Sequence, residues 1–144
     1  MHFGGRIAFE RQGFLFFTIG ERGQGPHAHD ITRPNGKVHR IHDDGRVPAD
    51  NPFVKNPEAC ATIWSYGHRN PQGLAFRPGT HQPFTAENGP WHSDEVTALR
   101  PGGNGGWDPR PNLAGRGACP ADYCGYSPNQ MARWTPRSGP PICR

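Results

Sequence analysis

Ile7-Ala8-Phe9-Glu10-Arg11-Gln12-Gly13-Phe14-Leu15-Phe16-Phe17-Thr18 and Leu74-Ala75-Phe76-Arg77-Pro78-Gly79-Thr80-His81-Gln82-Pro83-Phe84-Thr85 carry one pattern twice. In each, an apolar triplet starting at Ile7 or Leu74 is followed by Phe-Thr at offsets of +10 and +11. Turn formers stand between them, Arg11-Gln12-Gly13 in the first copy and Arg77-Pro78-Gly79-Thr80 in the second, so each copy reads as strand, turn, strand. The copies lie 67 residues apart, longer than the period of about 40 to 50 residues in common propeller repeats. The extra length leaves room for two more strands per copy and for loop insertions. Gly36-Lys37-Val38-His39-Arg40-Ile41 and Ala61-Thr62-Ile63-Trp64-Ser65 supply those strands in the first copy, with Asp43-Asp44-Gly45 and Ala49-Asp50-Asn51-Pro52 as turns. Four-stranded units repeated radially make a β-propeller; the alternative is a chance likeness between two Gly-bounded strand pairs. Pro83 removes a ladder donor, which predicts an edge position, a late start or a bulge for its strand. From Asn104 onward Gly, Pro, Arg and Cys dominate without periodicity, as in an extended insertion or an incomplete next unit.

Composition narrows the class. Of 144 residues only 33% are hydrophobic, and 20 Gly with 17 Pro exceed a quarter of the chain, close to the range where disorder competes with folding. The apolar residues nevertheless gather in short runs bounded by Gly, Pro and Asn, so an ordered, loop-rich, all-β protein is expected. Core size is the weak point, because few side chains are available to offset the entropy of so many loop residues. The net charge is +4, but the 14 Arg are scattered from Arg6 to Arg144 with no stripe or basic run, which argues against nucleic acid as a partner. No apolar run reaches about 18 residues, so no membrane span is expected. No secretory leader is visible, since Met1 leads straight into His2-Phe3-Gly4-Gly5-Arg6. Cys119 and Cys124 are close enough to close a small disulfide loop, which would imply an oxidising compartment, whereas Cys60 and Cys143 are read as buried or free thiols.

The chemistry-bearing stretch is Ser65-Tyr66-Gly67-His68-Arg69-Asn70-Pro71-Gln72-Gly73-Leu74-Ala75-Phe76, followed by Glu87-Asn88-Gly89-Pro90 and Ser93-Asp94-Glu95. A guanidinium fork beside an amide suits a planar, anionic, oxygen-rich ligand, and the second cluster concentrates hard oxygen donors suited to Ca²⁺.

Together with Gly36 to Ile41, Asp43-Asp44-Gly45, Pro48 to Phe53 and Glu87 to Trp107, this stretch resembles the soluble glucose/sorbosone dehydrogenase family, whose members are pyrroloquinoline quinone (PQQ)-dependent aldose dehydrogenases built as six-bladed β-propellers. The likeness covers about residues 2 to 107, with Gly67-His68-Arg69-Asn70-Pro71-Gln72-Gly73 its most specific part. It implies about two blades over residues 1–107 and a loop-rich insertion or incomplete next blade over 108–144. The resemblance makes His2 the catalytic base that takes the proton from the C1 hydroxyl of the sugar, a task suited to an imidazole. Glu21 becomes its orienting acid, and Arg69 and Asn70 the pair that contacts PQQ, with Arg69 stabilising charge on the quinone oxygen. Gly89 and Pro90 match carbonyl ligands of an active-site Ca²⁺, and Asp94, Glu95 and the Gly105 carbonyl match the surroundings of a second, structural Ca²⁺.

The implied reaction is oxidation of an aldose at C1 to a lactone with hydride transfer to PQQ, carried by a piece of such an enzyme. Implied partners are the sugar, an external electron acceptor and, as one option, a second copy in a homodimer. The implied location is periplasmic or secreted. Two other readings remain: a non-catalytic, Ca²⁺-stabilised propeller used for binding, and a lactone or ester hydrolase on a Ca²⁺ propeller.

Overall fold

The computed structural model describes residues 1–89 and 94–107 and the backbone of 131–134. Among the described residues eight strands form two antiparallel sheets of four. In the first sheet β1 (Gly4–Glu10), β2 (Phe14–Ile19), β3 (Lys37–His42) and β4 (Ile63–Ser65) lie side by side in chain order. The second repeats that order with β5 (Pro71–Phe76), β6 (Pro83–Glu87), β7 (Asp94–Ala98) and β8 (Met131–Trp134). The strands expected at Ile7, Phe17, Lys37 and Ile63 are all present, and both hairpins form, with a register that differs by one residue: Ile7 pairs with Phe17, ten positions on, whereas Leu74 pairs with Thr85, eleven positions on. The stretch read as an insertion or a next blade contributes β8, the outer strand of this second sheet. Cys119, Cys124 and Cys143 lie outside the described residues; Cys60 is a half-buried free thiol whose Sγ lies 3.2 Å from the Thr32 carbonyl.

Turn chemistry explains the hairpins. Gly13, at φ +86°, closes the β1–β2 turn by donating its N–H to the Glu10 carbonyl at 3.1 Å. Pro83 sits at the first position of β6, where the missing donor does least harm, although β6 is interior.

The core is small and partly polar. Phe16, Val38 and Leu99 are buried, with Phe14, Trp64, Leu74 and Phe76 packed against them. Phe16 meets both Trp64 at 5.5 Å and Phe76 at 5.2 Å, edge to face, and so joins the two sheets. Beside it the buried Thr18 hydroxyl donates to the Pro71 carbonyl at 2.7 Å and accepts from the Arg6 N–H at 3.1 Å, tying β1, β2 and the start of β5. At the opposite end of the strands Glu10 and His81 form a second tie, 2.9 Å apart. Where a richer chain would use aliphatic residues, this one buries hydrogen-bonded polar groups. Arg40 lies over the Phe14 ring at 3.8 Å and pairs with Asp50 at 3.1 Å, and the Asn51 amide donates to the carbonyls of Arg40 and Ala61.

Two of these buried groups make stability depend on pH. His39 stacks on Phe17 at 4.7 Å, contacts Thr62 and the Pro34 carbonyl, and is held by burial to a pKa of about 4 against an ordinary 6.5. Between those values only the unfolded chain takes up the proton, so stability falls as pH falls through that window, by about 3 kcal/mol in all. Lys37, fully buried, donates to the carbonyls of His27, Ala28 and Asn35, and burial lowers its pKa from 10.5 to about 8. Here the unfolded chain holds the proton that the folded chain has lost, so stability rises between pH 8 and 10.5. Denaturant midpoints across the acid window are expected to show the first slope, and His39→Gln is expected to flatten it.

Candidate active site

The site lies where the two sheets begin. β1 enters through Met1 to Phe3, β2 leaves through Gly20 and Glu21, and β5 is preceded by His68-Arg69-Asn70. Gly20 permits this convergence, because a Cβ there would stand 2.1 Å from the His2 carbonyl oxygen. His2 itself adopts φ +59°, and its carbonyl accepts from the Arg22 N–H at 3.3 Å.

Nδ1 of His2 donates to Oε1 of Glu21. The Glu21 side chain is nearly inaccessible and that of His2 retains 20% exposure. A carboxylate accepts only, so this contact places the imidazole hydrogen on Nδ1 and leaves Nε2 as the proton acceptor. The second carboxylate oxygen of Glu21 is buried with no hydrogen-bond partner among the described residues, which leaves negative charge to stabilise a protonated imidazole.

The backbone N–H of Glu21 donates to the Arg69 carbonyl at 2.9 Å, and the side-chain oxygen of buried Asn70 accepts from the Gly4 N–H at 3.2 Å. The His2–Glu21 pair and the Arg69–Asn70 pair are thus joined by direct bonds between the sheets. Asn70 spends its oxygen on this joint and has its amide nitrogen left for a ligand. The Arg69 guanidinium donates through Nη1 to the carbonyls of Asn88 at 2.9 Å and Gly89 at 2.8 Å and lies 5.3 Å from the Trp107 ring. Its Nε is buried without a partner among the described residues, and burial lowers its pKa against the opposing pull of Glu21, Glu87 and Asp94. An orphaned donor on a partly desolvated guanidinium fits an anionic, carbonyl-bearing cofactor such as PQQ.

The calcium donors fit less well. The Gly89 carbonyl is engaged by Arg69, and Pro90 lies outside the described residues. Asp94 Oδ1 accepts from the Gly89 N–H at 2.8 Å and from the Asn88 amide at 3.3 Å, Glu95 stands across from Glu87 in the β6–β7 register, and Gly105 packs against Gly67 and His68. Among the described residues no three His, Cys, Asp or Glu side chains form a metal-sized group, and Ca²⁺ takes six to eight oxygens. Among the described residues these donors do not make a calcium site by themselves. A cavity of about 280 Å³ does open beside Gln72, Glu87, Asn88 and Asp94.

Glu87 was expected only as a member of the oxygen-donor cluster suited to Ca²⁺, and His68 and Ser65 had no expected role of their own. Ser65 lies 2.8 Å from His68 Nε2, and His68 Nδ1 lies 2.9 Å from Glu87 Oε2, while Glu87 Oε1 accepts from the N–H groups of Arg69 and, at 3.3 Å, Asn70. Their signal in the sequence was only membership of these motifs, since His68 and Glu87, 19 positions apart, are brought together by the β5–β6 hairpin.

Comparison with known proteins gives the family. The glucose/sorbosone dehydrogenase family pattern matches residues 1–115. The chain is 46% identical over 106 residues to aldose sugar dehydrogenase YliI of Escherichia coli, covering 74% of this chain and 29% of that protein. It is 34% identical over 134 residues to quinoprotein glucose dehydrogenase B of Acinetobacter calcoaceticus, covering 79% and 27%. The PQQ-bound aldose sugar dehydrogenase of Streptomyces coelicolor superposes with a TM-score of 0.71 at 34% identity, over 94% of this chain and 36% of that one. The chain therefore spans less than a third of the length of these curated relatives. With two blade-like sheets and a match over most of its length, the chain belongs to the glucose/sorbosone dehydrogenase family and forms part of a β-propeller.

Proposed function

We propose that this chain carries the base and part of the cofactor site of a PQQ-dependent aldose dehydrogenase that oxidises the C1 hydroxyl of a sugar to a lactone. The observation that carries the reading is the bonding of the His2–Glu21 pair to Arg69 and Asn70 across the sheets. When bound, PQQ supplies the acceptor for the two electrons and the hydrogen that leave C1 as hydride. Nε2 of His2 takes the hydroxyl proton, Glu21 stabilises the resulting imidazolium, and the Arg69 guanidinium sets positive charge beside the oxygen on which negative charge develops. Reoxidation calls for an external electron acceptor. A periplasmic or secreted location and an added Ca²⁺ belong to the same reading, and the metal would need oxygen donors besides Gly89, Asp94 and Glu95.

A Ca²⁺-stabilised binding propeller would keep the loops but has no need of a buried carboxylate aimed at an imidazole, which favours the dehydrogenase. The test is an absorbance titration with PQQ, with and without Ca²⁺, followed by dye-linked oxidation of glucose. Arg69→Ala is expected to weaken PQQ binding by about 10- to 100-fold, as loss of a charge-assisted donor would. Equal affinity in wild type and variant would remove Arg69 from the cofactor site.

A further inference from the structure

Arg69 and Asn70 sit in a short link between β4 and β5, where backbone is ordinarily free to move. Their two successive N–H groups point into one carboxylate oxygen, Glu87 Oε1, at the end of β6. The other oxygen, Oε2, is held by His68 Nδ1 at 2.9 Å, and His68, fully buried, is fixed on its far side by the buried hydroxyl of Ser65 at 2.8 Å. The carboxylate accepts only, so His68 carries its hydrogen on Nδ1 and Ser65 donates to Nε2. Every polar atom of this relay is thereby used, and the relay ends on the backbone of the two residues assigned to the cofactor. The link is held from its other side as well, since the Arg69 carbonyl accepts from Glu21 and the Asn70 carbonyl accepts from Asn88 at 3.2 Å.

We infer that Glu87, oriented by His68 and Ser65, is a positioning residue: it clamps the Arg69 and Asn70 amides and so sets the direction of the Arg69 guanidinium toward the ligand. The inference rests on the proposed PQQ reading for the identity of that ligand, while the clamp belongs to this chain alone. Glu87 touches no ligand in this role. It acts as outer partners do when they orient groups that bind, whose loss typically costs 10- to 100-fold in affinity or activity.

The experiment uses the full chain and two readouts. Amide hydrogen exchange of Arg69 and Asn70, measured without cofactor, is expected to accelerate at least about tenfold in Glu87→Ala at an unchanged thermal midpoint, as a local opening would. PQQ affinity in an absorbance titration is expected to fall about 10- to 100-fold. Glu87→Gln keeps an acceptor oxygen and is expected to recover most of both losses, which a volume effect alone would not distinguish from Glu87→Ala by amide position. If Glu87→Ala fails to fold, Ser65→Ala removes only the last member of the relay and is expected to speed exchange at the same two amides to a smaller extent. Unchanged exchange at Arg69 and Asn70 in the folded variant, or PQQ affinity equal to wild type, would overturn the inference. A wild-type chain that binds no PQQ, with the exchange response as expected, supports the clamp and overturns the dehydrogenase reading instead.

Discussion

His2→Asn is expected to lower dye-linked sugar oxidation by about 10²- to 10⁴-fold, the range supplied by a positioned general base, while leaving PQQ affinity unchanged. Asparagine is the informative replacement because residue 2 lies at φ +59°, a conformation that Asn tolerates better than most side chains. Its amide can still donate to Glu21, so the local fold is kept and only the proton acceptor is lost. Glu21→Gln should reduce the rate by a separate route, because a neutral partner no longer stabilises the imidazolium and no longer fixes the hydrogen on Nδ1. Turnover by His2→Asn at the wild-type rate would show that the base is another group. The split between retained binding and lost turnover is what separates a base from a residue that merely shapes the entrance.

Gly36→Ala is expected to damage the fold severely. Gly36 stands at φ +67° just before β3, and a Cβ there would lie 2.6 Å from the Ala28 Cα, 2.6 Å from the His68 carbonyl oxygen and 2.8 Å from the Ala28 Cβ. The first two neighbours belong to backbone, so no rotamer change relieves the contact. Left-handed strain of about 1–2 kcal/mol adds to overpacking of about 1–3 kcal/mol. For a chain of this size the thermal midpoint should then fall by about 10 °C. The same carbonyl belongs to the residue before Arg69, and the Gly36 carbonyl accepts from the His68 N–H at 3.1 Å. PQQ affinity is therefore expected to fall along with stability. An unchanged midpoint would mean that the Gly25–Ala28 turn and the His68 segment can part at little cost.

What could be read in the sequence follows from the range of the interactions concerned. The hairpins at Ile7 and Leu74 were legible because turn residues and apolar triplets are local signals; the register within each was not, since Ile7 pairs with Phe17 but Leu74 with Thr85. Strand β8 was not, because nothing local in the Gly- and Pro-rich stretch before Met131 announces it; its place is decided by the open edge of β7. Buried Lys37 and His39 follow Gly36 in what looks like an ordinary half-polar strand, yet their neighbours are loop carbonyls at Pro34, Asn35, His27 and Ala28 that no strand periodicity encodes. At the site, His2, Glu21, Arg69 and Asn70 are linked by hydrogen bonds, whereas Asp94, Glu95 and Gly105 do not converge on one metal position among the described residues, and the relay from Glu87 emerged only from geometry. A carboxylate at a strand end looks like any solvated Glu until the N–H groups that it accepts from are known.

The bond from the Gly4 N–H to the Asn70 side chain has a consequence for the order of events at the ribosome. His2 and Glu21 are 19 positions apart and can meet soon after both are made, but the partner of Gly4 arrives 66 positions after it. Synthesis at about 5–20 residues per second puts several seconds between the two. During that interval β1 and β2 can pair with each other and with the growing β3 while the joint to Asn70 is still missing, and exposed Ile7 and Phe9 lie on the waiting strand. Gly4 is thus locked in place well after its own hairpin has been made, and a chaperone that shields a nascent hairpin would find its substrate in this interval.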